Sequence, residues 1–293
     1  MASCNNRTAI VTGAGAGLGR AYAIELAAAG ANVVVNDIRA DAAAEVVEAI
    51  TAKGGRAIAS SDDITGIATA QSIVDVALAA FGEVHAVVNN AGILRDRMFV
   101  TLTEDDWDQV MRVHLRGHFC LANILGRRWR EQSKAGQAVD ARIINTTSGA
   151  GLQGSIGQSN YSAAKGGIAT LTLVQAAEMK RYGVTANALA PAARTAMTLA
   201  GMPEKVKKPE DGSFDFFDPA NVASLVVWLV SPDSRDVTGQ VFEVEGDRIS
   251  VCDGWRSGPE AKKGGARWTS NEIGPAVRGL LAKAVPAQKV WGS

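Results

Sequence analysis

Two side chains with acid–base chemistry, Tyr161 and Lys165, stand four positions apart in the segment YSAAK. On a helix, residues at this spacing lie on one face, so a phenol and an ammonium group would be neighbours. A tyrosine titrates near pH 10, so a base that works near pH 7 needs a pKa lower by about 3, or about 4 kcal/mol. A neighbouring ammonium and a second positive charge would both favour the phenolate. Ser148 ends an earlier apolar run, where its hydroxyl could donate to a substrate oxygen. The alternative is a solvent-facing Tyr and Lys on an amphipathic helix.

A glycine-rich turn, TGAGAGLG at 12–19, joins an apolar run to a helix-like segment. Glycines let the backbone turn sharply and approach a pyrophosphate, whose charge is stabilised by the free N–H groups of the helix's first turn. Leu18 occupies the third glycine's place in the general G-x-G-x-x-G pattern, so the pattern that fits is Gly13-x-x-x-Gly17-x-Gly19. The position directly after the first strand predicts a dinucleotide site.

An acidic residue, Asp37, ends the second predicted strand eighteen residues beyond Gly19. Its carboxylate can accept hydrogen bonds from both hydroxyls of an adenine ribose and would repel a 2′-phosphate. NAD is therefore predicted over NADP, although the positive charge of Arg39 works against this preference.

Seven short, apolar, β-branched runs alternate with longer Ala-rich segments. This alternation requires crossover connections and is typical of a parallel sheet covered by helices on both faces. The sequence therefore predicts a doubly wound α/β fold with a seven-stranded parallel sheet. We place strands at 8–12, 32–36, 57–60, 85–89, 141–147, 184–190 and 240–244, and helices near 18–29, 41–53, 66–81, 104–132, 161–182 and 219–231.

The overall charge is balanced, with 30 basic and 30 acidic side chains. No net field therefore favours nucleic acid or an anionic membrane. The three cysteines have no paired spacing, which fits a reducing compartment, and no apolar run reaches membrane-spanning length. The first residues lack the features of a secretory signal and the last five, KVWGS, are not a peroxisomal address. We expect a cytoplasmic enzyme for a small-molecule substrate, with no nucleic-acid or membrane partner.

Four motifs together resemble the short-chain dehydrogenase/reductase superfamily: the glycine turn, NNAG at 89–92, Ser148 thirteen residues before Tyr161, and Y-x-x-x-K. The resemblance runs from about residue 7 to 246. Longer segments are similar to the dehydrogenase part of the peroxisomal multifunctional β-oxidation enzymes, a group that includes 17β-hydroxysteroid dehydrogenase type 4. These segments are TGAGAGLGRAYA (12–23), VVVND (33–37), NNAGILRDR (89–97), DDWDQVMRVHLRG (105–117) and GQSNYSAAK (157–165).

The resemblance implies a single Rossmann-type domain that uses NAD. Tyr161 would be the general base, Lys165 would bind the nicotinamide ribose and lower the tyrosine's pKa, and Ser148 would orient the substrate oxygen. After the sixth strand the family usually has Pro-Gly and then a threonine, whereas this chain reads PAART at 191–195. The catalytic residues implied are Ser148, Tyr161, Lys165 and His114. The cofactor-binding residues implied are Gly13, Gly17, Leu18, Gly19, Asp37, Asp63, Ile64, Asn90, Ala91, Gly92, Tyr161, Lys165, Pro191 and Thr195.

Two of the three histidines, His114 and His118, stand four apart. A zinc site is not expected, because no third ligand has a matching spacing. Most family members place an asparagine at position 114, where the main chain holds a water that relays protons to the lysine. His114 is therefore either a member of that relay or a hydrogen-bonded core histidine. For His118 we predict packing or an interface.

The predicted reaction is NAD-dependent oxidation of a secondary alcohol, (R)-3-hydroxyacyl-CoA to 3-ketoacyl-CoA, in fatty-acid or sterol side-chain degradation. The alternatives are a 17β-hydroxysteroid dehydrogenase, a 3-oxoacyl-carrier-protein reductase and an NAD-binding module without turnover. Asp37 argues against the reductase, which usually draws on NADPH. The presence of Ser148, Tyr161 and Lys165 argues against the module.

The connection at 195–218 is long for a compact domain and is typical of a substrate loop. Its apolar side chains, Met197, Met202, Phe214, Phe216 and Phe217, could meet an acyl chain or a steroid. Its basic neighbours either meet CoA phosphates or form a solvated charge run; they are Arg194, Lys205, Lys207 and Lys208.

We expect residues 1–250 to form the catalytic domain and 251–293 to form an extension, with helix near 275–284, that packs on it or on a partner subunit. The helix at 161–182 begins with the small residues Ala163, Ala164, Gly166 and Gly167 and has a broad apolar face. Two copies could approach closely there, which predicts a homodimer or homotetramer.

Overall fold

The computed structural model describes residues 3–201 and 203–293. In these residues, eight strands form one sheet in the order β3-β2-β1-β4-β5-β6-β7-β8. The strands are β1 (Thr8–Thr12), β2 (Asn32–Asn36), β3 (Arg56–Ser60), β4 (Ala86–Asn89), β5 (Ala141–Thr146), β6 (Val184–Ala192), β7 (Val241–Glu245) and β8 (Arg248–Val251).

The first seven strands pair in parallel, as predicted. β8 is an additional edge strand that pairs antiparallel with β7. A two-residue turn joins them, and Gly246 in that turn has φ 54°, which lets the chain reverse tightly. The predicted count of seven is therefore short by one strand. All four residues of β8 are exposed, so its sequence lacks the buried, apolar pattern that identifies the others.

Ten α-helices occur in the described residues. They are α1 (Gly17–Ala28), α2 (Ala40–Thr51), α3 (Ile67–Phe81), α4 (Glu104–Met111), α5 (Gly117–Lys134), α6 (Gly149–Gln153), α7 (Ser159–Met179), α8 (Ala196–Gly201), α9 (Pro219–Val230) and α10 (Ser270–Leu281). Across this part of the chain, no helix has both the length and the apolar character needed to cross a bilayer.

The helix predicted at 104–132 is divided in two. Thr103 caps its start, where Oγ1 accepts a hydrogen bond from the Asp106 N–H at 3.1 Å. A π-helical turn, Arg112–Arg116, separates α4 from α5 and has His114 at its centre. Turns of this kind are frequent at functional sites because the extra residue shifts the side chains that follow.

Apolar side chains cover both faces of the sheet. On one face α1, α2 and α9 pack through side chains that include Tyr22, Leu26, Val46, Val226 and Leu229. On the other face α3 and α5 pack through side chains that include Ile73, Leu121, Leu125 and Trp129. Because both faces are buried, β1, β2, β4 and β5 read as continuous apolar runs rather than alternating ones.

The strand order of the sheet reverses direction between β1 and β4. From β1 the strand order runs to β2 and β3 on one side and to β4, β5 and β6 on the other. Ligands of doubly wound folds bind in the crevice outside the carboxyl ends of the strands at this point. The glycine turn follows β1, NNAG overlaps the end of β4, and Ser148 follows β5, so all three meet at that edge.

Candidate active site

The glycine turn after β1 has a steric reason for each predicted glycine. Gly13 and Gly17 have φ of 61° and 54°, in the left-handed region that side chains disfavour. A Cβ on Gly13 would lie 2.8 Å from the Ala91 Cα, and one on Gly19 would lie 2.2 Å from the Gly13 carbonyl oxygen. The turn therefore leaves exposed backbone where a pyrophosphate would approach.

Thr12, which the sequence patterns did not identify, joins this turn to the loop after β4. Its Oγ1 accepts hydrogen bonds from the N–H of Asn90 at 2.9 Å and of Ala91 at 3.1 Å. The Asn90 side-chain amide donates to the Thr12 carbonyl at 3.0 Å. Asn90 and Ala91 are thus held at the crevice between β1 and β4. The available signal for Thr12 was its position at the last residue of β1.

Asp37 lies at the carboxyl end of β2, with 8% of its surface exposed. Its Oδ2 accepts a hydrogen bond from the Gly15 N–H at 2.9 Å, and its Oδ1 accepts one from the Arg39 N–H at 3.0 Å. The Arg39 guanidinium lies 3.5 Å from Oδ1, with most of its side chain in solvent. The carboxylate is therefore fixed beside the glycine turn, and the neighbouring Ile38, 70% exposed, offers an apolar surface that the sequence patterns did not identify.

Asp63 and Ile64 lie in the loop after β3. The Asp63 carboxylate accepts hydrogen bonds from the backbone N–H and the hydroxyl of Thr65, both at 2.8 Å. Ile64 is buried and packs at Gly117, where a Cβ would lie 2.6 Å from its Cδ1. Both side chains have contacts within the chain at this edge of the sheet.

The segment after β6 reaches the glycine turn through Thr195. The Thr195 Cγ2 lies 3.3 Å from the point that a Cβ on Gly17 would occupy. Pro191 is still in β6, paired with Val244 of β7. Ala193 follows it as a buried residue in the segment where the family's glycine is missing.

Arg194 closes the base of the loop that follows. Its guanidinium forms a bidentate ion pair with Asp215 and donates to the Val206 carbonyl at 3.0 Å. The guanidinium holds the pKa of Asp215 below its usual range. Arg194 is thus paired within the loop and not free for a CoA phosphate. Met197 and Phe214 of the predicted apolar set are exposed, Phe216 and Phe217 pack edge to face, and Met202 lies outside the described residues.

Lys165 is buried at the start of α7. Its Nζ donates to the Thr146 carbonyl at 2.6 Å and lies 5.6 Å from the centre of the Tyr161 ring. Burial lowers the pKa of Lys165 to about 7, because removal from water disfavours the charged amine. α6 packs tightly here, since a Cβ on Gly151 would lie 2.6 Å from the Lys165 Cβ.

Tyr161 lies one helical turn before Lys165, beside Ser148. Burial raises the pKa of Tyr161, the Ser148 hydroxyl lowers it by hydrogen bonding, and the charge of Asp96 raises it. Ser148 caps α6, with its Oγ accepting from the Ala150 N–H at 3.2 Å. In the chain alone, burial thus outweighs the effects that favour phenolate. A tyrosine base here needs a further positive charge beside it.

Asn160, which the sequence patterns also did not identify, orients Tyr161. Its side-chain amide donates to the carbonyls of Arg95 and Asp106, both at 3.1 Å, and its Oδ1 accepts from the Tyr161 N–H at 2.8 Å. The side chain is fully buried. It connects the loop after β4, the start of α4 and the start of α7.

His114 is buried against Tyr161. Its ring meets that of Tyr161 edge to face, with centroids 5.2 Å apart. Its Nε2 lies 2.8 Å from the Ile93 carbonyl oxygen and 3.0 Å from the Ile93 nitrogen, so either tautomer finds a partner there. Burial and the charge of Lys165 lower the pKa of His114 to about 3. A Cβ on Gly92 would lie 2.3 Å from the His114 ring, so only glycine fits at this position beside the ring.

His118 is fully buried one turn further along. Its Nε2 accepts a long hydrogen bond, 3.4 Å, from the Thr146 N–H. Burial, followed by the charges of Lys165 and His114, holds the pKa of His118 well below its usual value. The imidazoles of His114 and His118 thus contact different backbone groups and do not converge on a common point.

Comparison with known proteins identifies the family. The family model described as short chain dehydrogenase matches residues 7–206. The chain belongs to this family. The resemblance predicted from the motifs is therefore confirmed, and this short chain dehydrogenase is an oxidoreductase with a nicotinamide dinucleotide cofactor and a small-molecule substrate.

Two relatives cover the short chain dehydrogenase almost completely, and a third covers most of it. It is 42% identical over 291 residues to the hydroxyacyl-CoA dehydrogenase ChsB1 of Mycobacterium tuberculosis, covering 97% of this chain and 91% of that protein. It is 52% identical to a short chain dehydrogenase from Mycobacterium avium of known crystal structure, with a TM-score of 0.90 and 99% of each chain covered. It is also 40% identical over 249 residues to the peroxisomal multifunctional enzyme type 2 of Mus musculus, covering 82% of this chain but 32% of the mouse protein.

The crevice fits the family's cofactor. Gly13, Gly17 and Gly19 add no side chain to the turn, and the Asp37 carboxylate is fixed beside it at the end of β2. Backbone N–H groups at the start of α1 have no side-chain cap, because Ala16 precedes that helix. These features suit a ligand with a pyrophosphate and a ribose diol.

Proposed function

We propose that this short chain dehydrogenase oxidises the hydroxyl of (R)-3-hydroxyacyl-CoA to the 3-keto group, with NAD as the oxidant, in fatty-acid or sterol side-chain degradation. The observation that carries the proposal is the juxtaposition of Ser148, Tyr161 and Lys165 at the crevice between β1 and β4. Support for the substrate comes from ChsB1, whose name is that of a hydroxyacyl-CoA dehydrogenase and with which the chain shares nearly its whole length.

Each residue of the site has a distinct task. The Tyr161 phenolate removes the proton of the substrate hydroxyl, and Ser148 donates a hydrogen bond to the same oxygen. Lys165, held by the Thr146 carbonyl, supplies positive charge beside the phenol and binds the nicotinamide ribose. The cofactor, when bound, accepts the hydride from the carbinol carbon and contributes the further positive charge near Tyr161.

The cofactor is held by the residues that form the crevice. Gly13, Gly17, Leu18 and Gly19 would place backbone against the pyrophosphate, and Asp37 would accept from the ribose hydroxyls. Asp63 and Ile64 would lie beside the adenine, while the segment from Pro191 to Thr195 would close the crevice from β6. Asn90, Ala91 and Gly92 form its floor, where Thr12 holds the first two.

For His114 we propose a positioning role rather than a step in the proton relay. Burial and the charge of Lys165 lower the pKa of His114 to about 3, so its ring is neutral near pH 7 and does not carry a proton as imidazolium. The edge-to-face contact with Tyr161 and the hydrogen bond to Ile93 instead fix the phenol against the loop after β4.

The proposed reaction is tested by following NADH formation through the absorbance of the reduced nicotinamide ring, with purified protein and (R)-3-hydroxyacyl-CoA of several chain lengths. The (S)-epimers are the matched control, and hydroxysteroids with free hydroxyl groups form a second panel. Oxidation of the (R)-acyl-CoA series with NAD supports the proposal. Oxidation of the steroids alone, or dependence on NADP, contradicts it.

Cofactor preference is expected to depend on Asp37. Loss of a charge-assisted hydrogen bond costs about 1.5–3 kcal/mol, so Asp37→Ala should lower kcat/KM for NAD by roughly 10- to 100-fold. Removal of the carboxylate also removes the repulsion of a 2′-phosphate, so the NAD to NADP ratio of kcat/KM should fall further. Asp41→Ala, which removes an exposed carboxylate on α2, is the control. A ratio unchanged in Asp37→Ala would contradict the assignment.

We further propose that the enzyme is a homodimer or homotetramer that assembles through α5 and α7. An apolar groove is lined by Met111 of α4, Leu115 of the π-helical turn, Phe119 of α5, and Leu171 and Val174 of α7, with Asp108, Arg112 and Arg116 also in its lining. Phe119 and Val174 are nearly half exposed. Two of the small residues at the start of α7 pack on their own chain, since Gly167 meets Leu115 and Gly166 meets Gly151. The apolar side chains further along are thus the ones left for a second copy.

Disruption of that groove should yield monomers. Val174→Arg places a charge where apolar surface would be buried, and such a charge is costly without a partner. Light scattering coupled to size-exclusion chromatography should give a dimer or tetramer for the wild type and a smaller species for the variant. Leu281→Arg, at an exposed apolar position of α10, is the control. A monomeric wild type would contradict the proposal.

A further inference from the structure

The last residues of the C-terminal extension lie on the loop between Ser148 and Tyr161. The Ile156 N–H donates to the Trp291 carbonyl at 2.9 Å, and the Trp291 N–H donates to the Gly154 carbonyl at 3.1 Å. These bonds form a short parallel bridge between Ser155 and Trp291, outside the main sheet. The backbone of Trp291 is therefore fixed to the loop that follows β5.

The Trp291 indole occupies the space in front of Gly149. A Cβ on Gly149 would lie 2.4 Å from Cη2 and 2.5 Å from Cζ2 of that ring, and the third nearest atom, at 3.4 Å, also belongs to Trp291. Consecutive Cα atoms are about 3.8 Å apart, so the indole stands one residue from Ser148. Gly149 needs no unusual backbone conformation, since its φ is not positive. Its lack of a side chain is thus explained by the ring.

We infer that Trp291 is a specificity-determining residue that forms one wall of the substrate pocket and contacts the apolar group carried by the carbinol carbon. If the proposed function holds, this group is the acyl chain. Half of the Trp291 surface, 49%, remains exposed although its backbone is fixed on both sides. A large rigid aromatic held in this way beside the reacting position offers apolar contact area at little cost in side-chain entropy.

A purely structural role would make a different prediction. If Trp291 served only to fasten the extension, its loss would lower stability and leave substrate selectivity unchanged. If it forms the pocket wall, its loss raises KM for substrates with large apolar groups and spares both kcat for small substrates and KM for NAD. The pocket-wall role thus changes KM for large substrates while kcat for small substrates and KM for NAD stay the same. Loss of folded protein alone does not produce this pattern.

The first experiment compares Trp291→Ala with Trp255→Ala. Trp255 is another tryptophan of the extension and is 99% exposed, so it is the matched control. For Trp291→Ala we expect KM for the larger alcohol substrates to rise at least tenfold, KM for NAD to stay within twofold, and discrimination between large and small substrates to shrink. Trp255→Ala should match the wild type. Unchanged substrate KM and selectivity in Trp291→Ala would overturn the inference.

The second experiment uses Gly149→Ala to displace the ring. The added methyl group has no room beside the indole, so this variant should show the same rise in substrate KM as Trp291→Ala. In the Trp291→Ala background the methyl group has space, so the double variant should be no worse than Trp291→Ala alone. Additive effects of the two substitutions would overturn the assignment, because the effects of substitutions at residues that share no contact add.

Failure of this inference is separable from failure of the proposed reaction. Both sets of kinetic constants are measured on (R)-3-hydroxyacyl-CoA and on the hydroxysteroid panel. If the wild type oxidises a steroid but no acyl-CoA, only the proposed substrate is contradicted. The effect of Trp291→Ala on KM is then measured with the steroid. If the wild type oxidises acyl-CoA and Trp291→Ala leaves KM for large substrates unchanged, only the inference about Trp291 is overturned.

Discussion

Tyr161→Phe is expected to lower kcat/KM for alcohol oxidation by about 10³-fold, within the range of about 10²–10⁴ that a positioned general base contributes. The substitution keeps the ring that packs edge to face on His114 and removes only the hydroxyl beside Ser148. NAD affinity should stay within about twofold, because the crevice between β1 and β4 is unchanged. Steady-state NADH production gives the first quantity and a direct binding titration with NAD gives the second.

The control for this variant is Tyr182→Phe. The chain has three tyrosines, and Tyr182 lies at the far end of α7 in a short 3-10 turn, Lys180–Tyr182. Loss of its hydroxyl should leave the rate unchanged. If Tyr161→Phe retains more than about a tenth of the wild-type rate, another group is the base, since a base is worth at least about 10².

The pH dependence of kcat/KM for oxidation also tests the assignment of Tyr161 as the base. A phenolate base makes kcat/KM for oxidation rise with pH, because protonation of Tyr161 removes the base. Lys165 has its pKa lowered to about 7, so its charge, which favours phenolate, is itself titrating near neutral pH. The Lys165 Nζ lies 5.6 Å from the centre of the Tyr161 ring. When two such groups interact, the pH profile reports values that belong to the pair. The rising limb should be lost in Tyr161→Phe.

Sequence patterns identify the residues whose neighbours along the chain explain them. Gly13 and Gly17 are required by the left-handed backbone of one turn, and Tyr161 and Lys165 by one helical turn. The parallel strands are identified in the same way, by continuous apolar runs buried on both faces. Local geometry is sufficient for each of these predictions.

Residues that depend on distant partners were not predicted from the sequence. Asn160 is explained only by its bonds to Arg95 and Asp106, more than fifty positions away. Trp291 meets Gly149 across more than a hundred positions. The π-helical turn at His114 and the exposed strand β8 likewise have no periodic apolar signal. Tertiary contacts decide such features, and a single sequence does not contain them.

Stability is expected to fall steeply as the pH drops from 7 to 5, because two histidines are buried in the neutral form. The usual histidine pKa is 6.5, whereas that of His114 is about 3 and that of His118 is also well below its usual value. Below pH 6.5 the unfolded chain therefore binds protons that the folded chain does not. The contribution of the neutral histidines to stability is fully present above their pKa in the unfolded chain. It is lost as the pH falls towards their pKa in the folded chain. His114, with its pKa of about 3, should lower the free energy of unfolding by roughly 2 kcal/mol between pH 7 and 5, and His118 adds to this loss in the same direction.

His118→Leu should make this pH dependence shallower, since each excess proton is worth up to about 1.4 kcal/mol per pH unit. The comparison uses the slope of the unfolding free energy, from urea titrations at several pH values, and not the stability at one pH, which the substitution also changes. His85→Asn is a comparison rather than a neutral control, because burial and the charge of Arg7 also lower the pKa of the partly exposed His85, while the charge of Glu83, 3.3 Å away, raises it. Lys165 faces both buried histidines, so its charge below pH 7 disfavours their protonation further. A slope equal to that of the wild type in His118→Leu would show that His118 is protonated in the folded enzyme, and the neutral pocket around the catalytic pair would be contradicted.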